Sequence, residues 1–295
     1  MSRIVLESQF AYVSLLLALM NGCVSTRTTS AGVVGVNRGQ TMLVSSTEIN
    51  RSAEKAYAQI LQEARTKNRL NRNPTQLQRV RGIAEQIIPA TAVFRPDAPG
   101  WRWEVNVIRS TNVNAWCMPG GKIVVSSRLM RKLALTDDEL AAVIGHEIAH
   151  ALREHGREKV SQSAGVDLAA MIGGAIGSFY GLDSKVGKGL IGTAGDLVFT
   201  HSNSRSMEQE ADRIGIELVA RAGYDPHAAI TLWQKMARMS KNGSRQWLST
   251  HPSSELRLSD LRNYANLVRP LCKTKRFIRT IDFMHSSFDD RVRLA

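Results

Sequence analysis

His146-Glu147-Ile148-Ala149-His150 is the stretch that decides how this 295-residue chain is read. On a helix, residues four apart share a face, so both imidazoles can reach one metal ion. Glu147, beside the first histidine, can meet a water held there. The helix is well signalled. Thr136-Asp137-Asp138-Glu139 has the form of a capping box. Leu140, Val143, Ile144, Ile148 and Leu152 follow at helical spacing, which predicts a helix of roughly 18 residues. The plain alternative is a surface helix with incidental histidines, but a capped, periodic helix is the context the metal motif requires.

Two histidines do not complete a catalytic zinc site, which takes three protein ligands plus water. One class adds a glycine and a third histidine in the form HExxHxxGxxH. Arg153 and Gly156 stand at those positions and exclude it. His155, five residues past His150, points away from the metal on an ideal helix and is left out of the set. Downstream, Ser206-Met207-Glu208-Gln209-Glu210-Ala211-Asp212 places carboxylates on a second predicted helix that stops at Gly223. Glu208 can ligate, and Asp212, one turn on, can hold a ligand histidine by its other ring nitrogen. Without the histidine motif these acids would read as a solvated face.

HExxH followed after a long insert by ExxAD resembles the gluzincin family of HtpX and CAAX-processing proteases, metallopeptidase family M48. The likeness is nearest to its periplasmic lipoprotein members of the BepA and LoiP type. Three further segments carry it. Asn114-Ala115-Trp116-Cys117-Met118-Pro119-Gly120-Gly121-Lys122-Ile123-Val124-Val125 looks like the family's hairpin ahead of the catalytic helix. Ser249-Thr250-His251-Pro252-Ser253-Ser254 looks like its late His-Pro segment, and Leu140 to His150 matches its run into the metal motif. Trp116, where Phe is usual, and Cys117 within the hairpin are departures that leave the metal set intact. The resemblance covers residues 70–265, and it implies an α+β, mainly helical gluzincin domain. An HExxH helix would face an ExxAD helix, with a small antiparallel sheet over the cleft. It implies one zinc per subunit on His146, His150 and Glu208, with Glu147 as general base. It also implies that His251 either supports the oxyanion or swings onto the metal as a self-inhibiting lid. An edge strand through Asn114, Ala115 and Trp116 would pair with an extended substrate backbone.

The residues agree with the sheet. Trp101 to Val107 alternates like a half-buried strand, and Gly120-Gly121 turns the chain between Val113–Met118 and Lys122–Ser126. Helices are expected over Thr47–Lys67, from Asn73-Pro74 through Ile88, over Pro226–Ser240 with Asp225 as cap, and over Glu255–Leu267. Small and glycine-bearing residues between the two metal motifs, 164–195, fit a mobile lid, a membrane-contacting segment or packed helices, of which a helical hairpin that partly covers the cleft is favoured.

The ends carry other messages. Phe10 to Met20 is an apolar run of 11 residues, too short to span a membrane and suited to a signal-peptide core. It ends at Asn21-Gly22-Cys23, the form of a bacterial lipobox, with Arg3 as positive start. This predicts a signal peptide over 1–22, lipidation at Cys23, a tether over 23–45, a protease domain over 46–268 and a basic tail over 269–295. Val24, rather than Asp, follows Cys23, which favours an outer-membrane lipoprotein facing the periplasm. The alternatives are a secreted protein or an uncleaved anchor. Cys117 and Cys272 then remain as an even pair, bridged or free. The net charge of +13 and pI near 10.1 suit contact with anionic lipid or another polyanion. No nucleic-acid-binding motif is present and nucleic acid is not expected as a partner. The expected function is a zinc metalloendopeptidase of the bacterial envelope that degrades misfolded or unassembled proteins. Unfolded or extended polypeptide would be its substrate and the outer-membrane assembly machinery a partner. The alternative is a chaperone-like assembly factor whose protease site is held shut by His251.

Overall fold

A computed structural model describes residues 25–162, 203–241, 251 and 256–272, and within them the chain is mainly helical. Two short strands, β1 (Ser25–Thr26) and β2 (Gln40–Thr41), pair antiparallel ahead of helices α1 (Ser46–Thr66) and α2 (Pro74–Ile87). Strands β3 (Glu104–Ile108), β4 (Ala115–Met118) and β5 (Lys122–Ser126) form a sheet. Then come α3 (Ser127–Lys132), α4 (Asp137–Leu152), α5 (His155–Gln162), α6 (Arg205–Ala222), α7 (Ala228–Lys241) and α8 over 256–272.

Local chemistry sets these boundaries. Ser45 caps α1 by accepting from the Glu48 amide, and Asn73 does the same for α2 with Pro74 in the first turn. On α4 both halves of the capping box form, Glu139 N–H to Thr136 Oγ1 at 3.2 Å and Thr136 N–H to Glu139 Oε2 at 2.9 Å. α6 ends where Gly223 turns left-handed at φ 92°.

α4 is buried on all sides from Leu140 to Leu152, so its sequence is apolar around the whole circumference except where it carries the motif. It packs against α6, the sheet, α7 and α2. Its contact with α6 is unusually close. A Cβ on Gly145 would lie 2.9 Å from the Gly215 carbonyl oxygen, and one on Gly215 would lie 2.9 Å from the His146 amide nitrogen. Two hydrogens in place of side chains therefore let the backbones touch beside the first motif histidine.

The sheet is mixed, where an antiparallel one was expected. Its order is β3-β5-β4, with β4 antiparallel to β5 (Cys117 opposite Ile123) and β3 parallel to it (Val105 opposite Ile123). The chain reverses between β3 and β4 and again in the hairpin, and two reversals restore the original direction. Pro119-Gly120 is a type II turn, closed by Gly121 N–H to Met118 O at 3.2 Å with Gly120 at φ 78°. One face of the hairpin, with Trp116, Met118 and Val124, packs under Ala53, Tyr57, Ile60 and Leu61 of α1. The other, with Ala115, Cys117, Ile123 and Val125, joins α4 in the main core.

The expected domain limits need correction at both ends. Residues 25–45 are not a loose tether, because Val34 and Val36 sit in the main core at 2% and 4% exposure. This strap belongs to the domain. At the other end α8 runs on to residue 272, with Val268 and Cys272 buried, so no boundary falls at 268. Cys117 and Cys272 are both free, buried thiols. The segment expected to be a signal peptide, Cys23, the insert at 164–195 and the residues past 272 lie outside the described residues. Among those described, no helix is long and apolar enough to cross a membrane.

Candidate metal centre

The α4–α6 crossing brings the two motifs face to face. His146 and His150 project from α4, Glu208 and Asp212 from α6, and His251 enters from the connection between α7 and α8. All five are buried. Nε2 of His146 and Nε2 of His150 are 3.1 Å apart, and Glu208 oxygens lie 3.5 Å and 3.3 Å from them. Nδ1 of His251 is 3.2 Å from His146 Nε2 and 3.1 Å from Glu208 Oε1. Donors about 2.0–2.2 Å from a tetrahedral zinc stand roughly 3.4 Å from one another. The spacings found here match that edge length, and three imidazoles with one carboxylate are a zinc-type donor set.

The far sides of His146, Glu208 and His150 are also held. Asp212 Oδ1 lies 3.0 Å from His146 Nδ1, close enough to orient the ring, although the N–H is poorly aligned on it. Asn203 donates to Glu208 Oε1 at 2.6 Å. Arg257 spans the two carboxylates, 2.7 Å from Glu208 Oε2 and 2.8 Å from Asp212 Oδ1, and its guanidinium lies 3.6 Å over the Trp233 ring. His150 Nδ1 and His155 Nδ1 lie 2.8 Å apart in a hydrogen bond, and His155 Nε2 reaches Glu210 Oε2 at 3.0 Å.

Electrostatics follow from burial and these partners. Burial drives the His150 pKa well below its ordinary value, which keeps the ring neutral as a metal ligand must be. At His146 burial is outweighed by Asp212 and Glu208, which lift it to about 9. Burial opposes charge on Glu208, yet His251, Arg257 and the motif imidazoles hold its carboxyl well below the usual range. Burial pushes the Glu147 carboxyl up. Its Oε1 is buried without a hydrogen-bond partner, 3.6 Å from His251 Nε2. A raised, unsatisfied carboxyl beside a cluster of metal donors suits a group that takes and returns protons.

Every residue proposed for the metal set is thus in one place. The edge-strand residues are arranged differently. Trp116 turns its ring under α1, edge-on to Tyr57 at 6.1 Å, so its side chain is structural. Among the described residues β4 is the outermost strand on its side of the sheet.

Sequence reasoning missed Arg257, Asn203 and the His155–Glu210 pair. An ideal helix points His155 away from the metal. The helix does not continue: Arg153 caps α4, and Glu154 adopts φ 50°, held by Arg95 at 2.7 Å and Arg157 at 2.8 Å. That left-handed residue swings His155 back onto His150. No glycine or proline marks the break, so the sequence offers no signal for it. Arg257, six residues past His251, could have been suspected only once α8 was known to lie against α6.

The profile of Peptidase family M48 matches residues 74–265. The mitochondrial metalloendopeptidase OMA1 of Arabidopsis thaliana is 37% identical over 169 residues, covering 57% of this chain and 33% of that protein. OMA1 of Schizosaccharomyces pombe is 31% identical over 240 residues, covering 81% of this chain and 65% of its own length. The beta-barrel assembly-enhancing protease of Escherichia coli is 36% identical over 172 residues, covering 56% of this chain and 35% of that protein. The chain therefore spans less than two thirds of the length of these relatives.

Proposed function

The chain belongs to peptidase family M48, and from that membership we propose a zinc-dependent metalloendopeptidase of the bacterial cell envelope. The observation that carries this reading is the buried set of His146, His150 and Glu208 with Glu147 beside it. Zinc bound by these residues would supply Lewis acidity for the scissile carbonyl and the attacking water. Glu147 would take a proton from the attacking water and return it to the leaving amine. Asp212 orients His146, and Arg257 keeps Glu208 and Asp212 ionised. Unfolded or extended polypeptide is the proposed substrate, added main chain to main chain along β4 at Asn114, Ala115 and Trp116. Backbone pairing favours extended chains over any one side chain, which suits clearance of misfolded or unassembled proteins. The envelope location rests on Arg3, the apolar run to Met20 and Cys23 in the sequence. It draws support from the likeness to a beta-barrel assembly-enhancing protease. On this reading the acylated N-terminus holds the domain at the outer membrane, near its assembly machinery.

The test is cleavage of an unfolded protein by the purified chain. Activity should vanish with chelator, return with zinc, and fall at least a hundredfold in Glu147→Gln. Cleavage that survives both treatments rejects the reading.

One observation favours a second state of the same site. His251 stands among the other donors at donor–donor spacings that fit one shared metal ion, so the set offers four donors instead of three with an open position. We infer that the resting enzyme is latent and that His251 leaves when substrate arrives. In that state the chain would act as a binding or assembly factor. His251→Ala should raise basal proteolysis while leaving zinc bound by the remaining three residues. Loss of both activity and zinc would make His251 an obligatory ligand.

A further inference from the structure

The strap of residues 25–45 lies ahead of the matched family region, yet it reaches the back of the metal centre. Glu210 Oε2 receives His155 Nε2 at 3.0 Å, Arg153 Nε at 3.0 Å and Arg38 Nη2 at 3.1 Å, while Arg38 Nε binds Glu210 Oε1 at 2.7 Å. The same Arg38 guanidinium forks onto Glu158, Nη1 to Oε1 at 2.5 Å and Nη2 to Oε2 at 2.9 Å. Gln40, also from the strap, donates its amide to the Arg153 carbonyl and to Glu158, both at 2.7 Å. Arg153 in turn donates to the Arg38 carbonyl at 3.0 Å. His155, Glu158 and Arg153 are fully buried.

The proton positions in this chain of contacts are determined by its end points. A metal on Nε2 of His150 leaves the proton on Nδ1, which must donate. Its neighbour, Nδ1 of His155, must then accept, so His155 carries its own proton on Nε2 and gives it to Glu210. Each contact has one donor and one acceptor, and two arginines balance two glutamates. Removing Arg38 leaves Glu210 with a single cation and unties the strap from it.

We propose that Arg38 is a positioning residue of the metal centre, acting through Glu210 and His155 on the ring of His150, so that the N-terminal strap helps to set metal affinity. The inference rests on the metalloprotease reading above. A strap that only adds buried area would support the fold and leave metal affinity alone.

The experiment uses the full chain, stripped of metal and titrated with zinc against a chromogenic chelator. Its variants are Arg38→Ala, Arg38→Lys, His155→Phe and Val36→Ala. Val36 is a buried apolar residue of the same strap outside the polar chain, so its truncation loosens the strap by packing alone. His155→Phe keeps the ring and breaks the chain from inside the domain, should Arg38→Ala fold poorly. Loss of a partner behind a metal-binding histidine weakens affinity about 10- to 100-fold. That loss is expected for Arg38→Ala and His155→Phe. Arg38→Lys should remain impaired, since an ammonium cannot fork onto both carboxylates. Val36→Ala should lower the melting midpoint and bind zinc like the unmodified chain. The visible absorption of the cobalt-loaded protein should shift in Arg38→Ala and His155→Phe only. Unchanged zinc affinity in folded Arg38→Ala, unchanged affinity in His155→Phe, or an equal loss in Val36→Ala overturns the inference. An unmodified chain that takes up no zinc overturns the metalloprotease reading with it.

Discussion

Arg257 shows how single residues carry this site beyond its ligands. Its guanidinium is buried between Glu208 and Asp212 and capped by Trp233. Truncating it leaves two buried carboxylates without their shared cation, which costs about 3–5 kcal/mol. Arg257→Ala is therefore expected to lose a large share of the domain's stability, and a shifted urea midpoint would register it. Arg257→Lys should recover little, because one ammonium cannot meet both carboxylates in a fixed plane. An Arg257→Ala variant within about 0.5 kcal/mol of the parent would show that the pair is solvated in solution. Residues of this kind divide by how far their partners lie in sequence. His146, His150, Glu208 and Asp212 were legible because each pair sits four apart on one helix. Arg257 and His155 were not, since their partners are assigned by a helix crossing and a left-handed residue that no local pattern announces.

At the scale of elements, the α4–α6 crossing places the chemistry, and it depends on Gly145 and Gly215. Gly215→Ala sets a methyl against the backbone of His146. The helices must part by a few tenths of an ångström, at a cost of roughly 1–3 kcal/mol. The variant should melt lower and bind zinc more weakly, because Glu208 and Asp212 move away from His146 together. Gly82 is the contrasting case. It lies inside α2 with nothing within 4 Å of a new Cβ. Gly82→Ala should raise stability by about 0.5–1 kcal/mol through lower unfolded-state entropy and better helix propensity, with zinc binding unchanged. Thermal melts of the two variants with and without zinc separate these outcomes. The helices themselves were legible from caps and spacing: Asn73-Pro74 and Thr136 to Glu139 mark starts that the structure keeps. The order of the sheet was not, because which strand lies beside β5 depends on the connection between β3 and β4 and leaves no periodicity.

Over the whole molecule, the strap and the catalytic helices form one unit through Glu210 and Glu158, although residues 25–45 read as a polar tether. The misreading has a physical cause. The strap is short of apolar residues, and two of its polar ones, the half-buried Arg38 and the buried Gln40, are satisfied by partners more than a hundred positions away. A window of sequence shows only the polarity. The union also predicts an acid response. Burial alone would raise the Glu210 carboxyl, but His155 and Arg38 bring it down to about 2 from an ordinary 4.5. A depressed carboxylate stabilises the fold above its unfolded pKa, and that contribution drains away as pH falls toward the folded value. The window is therefore from about 4.5 to about 2, and the full contribution at neutral pH is roughly 3 kcal/mol. Glu210→Gln cannot titrate there. Its deficit against the unmodified chain should be largest at pH 7 and shrink to about 1 kcal/mol near pH 3. Denaturant midpoints of the metal-free proteins at both pH values measure that gap. A deficit that stays constant across the range would mean that Glu210 is as acidic unfolded as folded, and that its ties to Arg38 and His155 add no stability of their own.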